Sequence, residues 1–209
     1  MVFSWANESE EHKLNKYLRK KCALLAKNYA ALANWAELGF RKHLFLFQQV
    51  GELVTSGRAS IGTLLADPPT TTLQRLKALT TGTLPTFIDA GDNFSPDAAV
   101  NEDSFVHQAS VIGKNVTLLG DDTWLSLYPN AFSKTAAYDS FDINDLNTVD
   151  DKIAPILREE IASPNSSSII IAHFLGVDHC GHKFGPTHPV MADTLRKVGF
   201  FLAVDGTTY

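Results

Sequence analysis

The sequence contains few cysteines, no surplus of basic residues and no long apolar run. Its two cysteines, Cys22 and Cys180, are too few for a disulfide framework, and the sequence leaves open whether they pair. The net charge of -5 gives no basic surplus with which to neutralise phosphates, so we expect no nucleic-acid partner. Because no stretch of about 18 or more apolar residues occurs, we also predict no membrane span in this chain.

A secretory signal is also missing at the N-terminus. The segment MVFSWANESEEHKLNKYLRKK has neither the apolar centre nor the cleavage site of a signal peptide. Four asparagines nevertheless stand in Asn-x-Ser/Thr acceptor tripeptides for N-glycosylation: Asn7, Asn93, Asn115 and Asn165. Such tripeptides are frequent by chance, and four in one chain only hint at a lumenal location.

The composition is that of a soluble globular protein, with 44% hydrophobic and 20% charged residues and enough length for one sizeable core. Residues 10–50 are predicted to be helical, because they are rich in Ala, Leu and Lys and lack proline. Beyond them, short apolar runs alternate with helical patterns. The predicted strands are 61–66, 116–119 and 166–175, and the predicted helices are 69–82, 150–163 and 188–204. This alternation predicts an α/β fold with a largely parallel sheet flanked by helices, and a site at the carboxyl ends of the strands.

A stretch rich in metal-ligand types, GVDHCGHKFGPTHP, follows the strongest predicted strand. Its glycines and its internal proline predict a loop. Asp178 and His182 lie four residues apart there and would supply half of a typical zinc shell. The alternative is that an Asp-x-x-x-His pair is a chance, structural feature. Further ligand types stand nearby: His179, Cys180 and His188.

Three threonines, Thr70 to Thr72, stand at the start of the helix predicted at 69–82. The N-terminus of a helix attracts anions such as phosphate, and a hydroxyl there could attack phosphorus if a metal lowered its pKa. The alternative is that threonine is simply a good N-cap residue. The local pattern does not select one nucleophile among the three.

Other polar residues follow predicted strands as well. Asp121 and Asp122 could bind a metal or a substrate hydroxyl, although such a pair is more often a solvated turn. The acidic run FDINDLNTVDD is predicted to be a loop followed by a helix start. His173 is predicted to be a core residue of its strand.

Together these pieces resemble one family. The segments that carry the resemblance are, in order, ADPPTTTLQRLKALTTGTLPTFIDAGDNF, LLGDDTW, SFDINDLNTVDD and HFLGVDHCGHKFGPTHPVM. They are similar to the lumenal domain of the glycosylphosphatidylinositol (GPI) ethanolamine phosphate transferases, in particular to members that act on the third mannose of the anchor. The likeness covers roughly residues 44 to 197. It implies an alkaline-phosphatase-like domain in residues 44–209, after a helical segment, 1–43, without a family match.

The resemblance also implies a chemistry. Members transfer phosphoethanolamine from phosphatidylethanolamine to a mannose of the GPI precursor, at the lumenal face of the endoplasmic reticulum membrane. Two zinc ions lie at the carboxyl ends of the sheet, and a threonine is the nucleophile. Matched to the family, Thr70 is that nucleophile and a ligand of one zinc, while Asp178 and His182 bind the other. A partner subunit is expected.

Departures from the family pattern limit this expectation. The family's opening strand, which ends in a metal-binding aspartate, is not found before Thr70, and its later Asp-His-Gly motif and a further histidine would lie beyond Tyr209. We therefore expect a domain truncated at both ends, with both zinc shells incomplete and little turnover by this chain alone. Two alternatives are a metal-dependent phosphodiesterase or phosphatase of the same superfamily, and a non-catalytic remnant.

Overall fold

A computed structural model of the chain describes residues 2–5, 55–56, 71–83 and 99–202. Four strands and six helices are placed within these ranges. In chain order they are β1 (Val2–Trp5), α1 (Thr72–Thr81), α2 (Phe105–Val111), β2 (Val116–Asp121), α3 (Thr123–Leu127), β3 (Lys134–Tyr138), α4 (Thr148–Ala162), β4 (Ile169–His173), α5 (Gly176–Phe184) and α6 (Pro189–Leu202).

The strands form one sheet in the order β1-β4-β2-β3. Strand β2 pairs in parallel with both β3 and β4, whereas β1 is an antiparallel edge strand on β4. Every residue of β2 and β4 is buried, as expected for central strands covered on both faces. The prediction of an α/β fold with a largely parallel sheet is confirmed.

Successive side chains of the central strands point to opposite faces of the sheet and belong to two separate core clusters. Leu118 and Ile171 point to one face, where they pack with residues of α1, α2 and α3. Leu119 and Ile170 point to the other face, where they pack against α4. This alternation places helices on both sides of the sheet, and it leaves the carboxyl edge open for the segments that follow each parallel strand.

The helices predicted at 69–82, 150–163 and 188–204 are present as α1, α4 and α6. The loop prediction for 176–189 is wrong, because its first part is the nine-residue helix α5. Gly185, at φ 83°, ends this helix instead of interrupting it, and the proline that follows lies outside it. The sequence analysis did not predict α2, α3, β1 or β3.

Several predictions concern residues outside the described ranges. These are the helix at 10–50, the strand at 61–66, the boundary near residue 43, and Thr70 itself. Cys22 also lies outside them, while Cys180 is a free, buried thiol. No helix of the described residues combines the length and apolar character required to cross a bilayer.

Candidate functional site

The candidate site lies at the carboxyl edge of the sheet, where three segments that carry aspartates meet. The first is Asp121–Asp122, at the end of β2; the second is 139–151, after β3; and the third is α5, after β4. Parallel pairing brings these strand ends to the same edge, since Asp121 is in register with Tyr138 and Gly120 with His173. The sheet topology therefore assembles segments that are distant in sequence.

Asp178 and His182 lie one turn apart on α5. Their nearest atoms, Asp178 Oδ2 and His182 Nε2, are 3.5 Å apart, and the side chains are 15% and 60% exposed. Two ligand atoms of a tetrahedral zinc, each about 2 Å from the metal, are roughly 3.3 Å apart. The pair therefore has a separation that suits two ligands of one zinc ion, although the same spacing also suits an ordinary ion pair on a helix.

The other ligand types of this stretch point elsewhere. His179 is buried, with Nδ1 2.7 Å from the carbonyl oxygen of Asp145 and Nε2 3.2 Å from that of Ser140. Cys180 packs in a cluster with residues of α6, and burial raises the pKa of its thiol. His188 stacks on Phe184, with the ring centroids 4.7 Å apart. Among the described residues, no group of three His, Cys, Asp or Glu side chains could hold a metal ion.

The two aspartates after β2 have different environments. Asp121 is fully buried, so its interpretation as part of a solvated turn is wrong. Its Oδ1 accepts a hydrogen bond from the Thr123 amide at 2.8 Å, and its Oδ2 lies 3.2 Å from His173 Nδ1. Asp122 is half-buried and accepts a hydrogen bond from the Ser140 hydroxyl at 3.1 Å, while burial raises its pKa.

His173 is a core residue, as predicted, and its ring nitrogen Nδ1 has two polar neighbours. Trp124 Nε1 lies 3.2 Å from Nδ1, the same distance as Asp121 Oδ2. The indole N–H can only donate, and the carboxylate can only accept. Nδ1 therefore accepts from Trp124 when it carries no proton and donates to Asp121 when it does. This polar trio of Asp121, Trp124 and His173 joins the carboxyl ends of β2 and β4.

The start of α1 is the second place where chemistry was predicted. Thr71 is the N-cap residue, with an extended backbone, but its hydroxyl makes no capping hydrogen bond. The helix is held near its other end, where the hydroxyl groups of Thr80 and Tyr128 are hydrogen-bonded and Lys77 pairs with Glu102 at 2.7 Å. Since Thr70 lies outside the described residues, its role as nucleophile stays a prediction.

A residue that the sequence analysis did not single out, Asp150, connects the acidic run to α5. Its side chain is buried, and it accepts hydrogen bonds from the amides of Leu175 and Gly176. Burial raises the pKa of this carboxyl from 3.8 to about 6. The only signal in the sequence was its place in the motif SFDINDLNTVDD, where three other acidic residues look equivalent.

Comparison with known proteins gives the chain clear relatives. It is 55% identical over 132 residues to the human protein named GPI ethanolamine phosphate transferase 3, catalytic subunit. The aligned region covers 63% of this chain and 12% of the human protein. It is 43% identical over 139 residues to GPI ethanolamine phosphate transferase 3 of Saccharomyces cerevisiae, covering 66% of this chain and 14% of the relative. GPI ethanolamine phosphate transferase 2 of Candida albicans is 39% identical over 151 residues, covering 69% and 17%.

Two further comparisons give no match: no family model and no solved structure corresponds to the chain. The chain spans between 12% and 17% of the length of these three relatives. The resemblance inferred from the four motifs is confirmed, and an alkaline-phosphatase-like fold agrees with the family of these relatives.

Proposed function

From its homology to the GPI ethanolamine phosphate transferases, we propose that this chain is part of a catalytic domain that transfers phosphoethanolamine from phosphatidylethanolamine to a mannose of the GPI precursor. Identities between 39% and 55% to enzymes of this name support the reaction class. The observation that carries the proposal within the structure is the Asp178–His182 pair on α5, at the carboxyl edge of a parallel sheet. The wording of the motifs favours the third mannose as acceptor.

We propose zinc as the metal, with Asp178 Oδ2 and His182 Nε2 as two ligands of one ion. The oxygen and nitrogen donors and their 3.5 Å separation fit this metal, and the 60% exposure of His182 leaves the pair open to further ligands. Thr70 would be a ligand of a second zinc, and both shells are incomplete among the residues proposed. A bound zinc ion would neutralise charge on the transferring phosphoryl group.

Thr70 is the proposed nucleophile. Its hydroxyl oxygen would form a bond to phosphorus as the bond from phosphorus to the diacylglycerol oxygen breaks, with the hydroxyl proton passing to that leaving oxygen. The mannose hydroxyl oxygen would then form a bond to phosphorus as the bond from phosphorus to the threonine oxygen breaks, with the mannose hydroxyl proton passing to the threonine oxygen. Thr70 directly precedes Thr71, the N-cap residue of α1, and the N–H groups of this helix end would favour an anionic phosphate.

The proposed location is the lumenal face of the endoplasmic reticulum membrane, with a partner subunit. The name of the human relative, a catalytic subunit, supports a partner. Asn115 and Asn165 are exposed and precede β2 and β4, at the edge opposite the candidate site, which would allow N-glycosylation. The hydroxyl residues of these two tripeptides are Thr117 and Ser167. They also contact each other, because the Thr117 hydroxyl donates a hydrogen bond to the Ser167 hydroxyl at 2.7 Å.

One observation favours a second candidate function, a non-catalytic remnant. Within the described ranges the Asp178–His182 pair has no third His, Cys, Asp or Glu with which to hold a metal. A remnant would keep the fold without retaining zinc. A phosphodiesterase or phosphatase that uses water as acceptor is less well supported, because the resemblance to the transferases extends to the segments LLGDDTW and SFDINDLNTVDD.

Zinc content separates these candidates. We expect purified chain to retain zinc by elemental analysis and the Asp178→Ala variant to lose it. His188→Ala is the matched control, since this exposed histidine stacks on Phe184 and forms no three-residue ligand group with the pair among the described residues. Equal zinc in wild type and Asp178→Ala would contradict the assigned ligands, and no zinc in either would favour the remnant. If zinc is bound, phosphoethanolamine release that is lost in Thr70→Ala would support the nucleophile.

A further inference from the structure

The buried carboxylate of Asp150 lies against the first turn of α5. Asp150 is on α4 and is 1% exposed. Its Oδ1 accepts a hydrogen bond from the Leu175 amide at 2.8 Å, and both of its oxygens lie 3.2 Å from the Gly176 amide. A side chain from one helix therefore satisfies backbone N–H groups at the start of another.

The helix provides no such cap for itself. Its N-cap residue is Leu175, which has no polar side-chain atom and makes no side-chain capping bond. The first N–H groups of any helix have no acceptor within the helix, and the positive end of the helix dipole favours a negative charge. Asp150 meets both needs from a distance of 25 residues in sequence.

The absence of a side chain at Gly176 makes room for this contact. A Cβ atom built on Gly176 would lie 2.6 Å from Asp150 Oδ2 and 2.6 Å from the carbonyl oxygen of Leu146. Both distances are far below van der Waals contact, so no larger residue fits without displacing the carboxylate or the backbone. The glycine and the aspartate therefore form one fitted contact.

This contact lies directly before the candidate ligands. Asp178 is two residues after Gly176, and His182 is one turn further along the same nine-residue helix. The position and axis of α5 determine where both donor atoms lie relative to the sheet edge. His179 holds the same helix to the loop 139–147 through the carbonyl oxygens of Ser140 and Asp145, so α5 is fixed at its start and along its side.

We infer that Asp150 is a positioning residue for the Asp178–His182 pair, acting by capping α5 through space. The inference rests on the proposed function, because it takes the pair to be a metal site. Outer-shell residues that orient metal ligands typically change metal affinity by about 10- to 100-fold when they are replaced. Asp150 would orient the two proposed metal ligands, Asp178 and His182, through the backbone of the helix that carries them.

The test is a titration of the full 209-residue chain with cobalt(II), in which visible absorption measures binding. We expect Asp150→Ala to weaken cobalt affinity by about 10- to 100-fold and to change the visible band. Asp150→Asn keeps one acceptor oxygen for the Leu175 amide and should fall between Asp150→Ala and wild type. Asp151→Asn is the matched control: Asp151 is adjacent, 53% exposed and paired with Lys197, so it should bind cobalt as wild type does.

Amide hydrogen exchange provides a readout that is independent of metal. The amides of Leu175 and Gly176 should exchange faster in Asp150→Ala than in Asp151→Asn, and Asp150→Asn serves for the comparison if the alanine variant does not fold by circular dichroism. Unchanged exchange would overturn the cap. Cobalt binding that survives both Asp150 substitutions but not Asp178→Ala would overturn the inference alone, whereas binding that survives Asp178→Ala would overturn the proposed function.

Discussion

Replacing Gly176 by alanine should destabilise the chain through its contact with Asp150. The new methyl group would meet Asp150 Oδ2 and the Leu146 carbonyl oxygen at 2.6 Å each. The Leu146 oxygen belongs to the backbone just before α4, so it yields less readily than a side chain. The carboxylate must therefore move, and it loses its hydrogen bonds to the amides of Leu175 and Gly176.

The magnitude follows from three contributions. Overpacking at a tightly fitted position costs about 1–3 kcal/mol. Loss of a hydrogen bond to a charged acceptor costs about 1.5–3 kcal/mol. Alanine is the better helix former by at most about 1 kcal/mol, which opposes these costs. We expect the free energy of unfolding to fall by about 2–4 kcal/mol in Gly176→Ala, because the two costs outweigh the gain.

Urea unfolding measures this effect, with the fluorescence of the buried Trp124 as one signal. A double-mutant cycle with Asp150→Ala tests the cause. Once the carboxylate is absent, one of the two clashes disappears, so Gly176→Ala should cost at least about 1 kcal/mol less in that background. A Gly176→Ala variant as stable as wild type, or one with the same cost in both backgrounds, would refute this reasoning.

Three further outcomes are expected. Burial raises the pKa of Asp150 from 3.8 to about 6, so the folded chain binds the proton of this carboxyl more tightly than the unfolded chain does. The stability that protonation of Asp150 contributes is complete below pH 3.8 and is lost as pH rises through about 6, a change of about 3 kcal/mol. This change should disappear in Asp150→Asn when urea unfolding of the two proteins is compared across the same pH range. Asp121→Ala should cost about 3 kcal/mol or more, because it removes the buried partner of His173 and of the Thr123 amide, and a thermal midpoint equal to wild type would contradict the assigned contacts. Zinc added to the purified chain should raise the thermal midpoint of wild type but not that of Asp178→Ala, and an equal rise in both would show that zinc binds elsewhere.

The central part of the fold was predictable because its signals are local. Ile169, Ile170 and Ile171 are consecutive β-branched residues, and such a run suits a strand that is buried on both faces. The apolar stripe of α4 predicted that helix despite the internal Pro155, while proline before and glycine after the pattern marked α1 and proline marked the start of α6. In each case the residues that determine the element lie within it or directly beside it.

The elements that were not predicted depend on partners elsewhere in the chain. Strand β1 exists through its antiparallel pairing with β4, more than 160 residues later, which no local pattern encodes. Helix α5 contains two internal or terminal glycines and begins with an apolar N-cap, so its sequence favours a loop. The capping carboxylate of Asp150 and the packing of Cys180 against α6 offset that preference.

The candidate site shows why acidic motifs are difficult to interpret from sequence alone. Asp121, Asp150 and Asp178 each lie at or near the carboxyl edge of the sheet, and each belongs to a motif that resembles the family. Only burial and partners separate them: the first two are at most 1% exposed and accept hydrogen bonds from backbone amides. Asp178 instead faces an exposed histidine one turn away. A buried carboxylate whose oxygens already have partners within the protein is poorly available to a metal, so Asp121 and Asp150 hold the edge together, and of the three aspartates Asp178 is the one that we propose as a metal ligand.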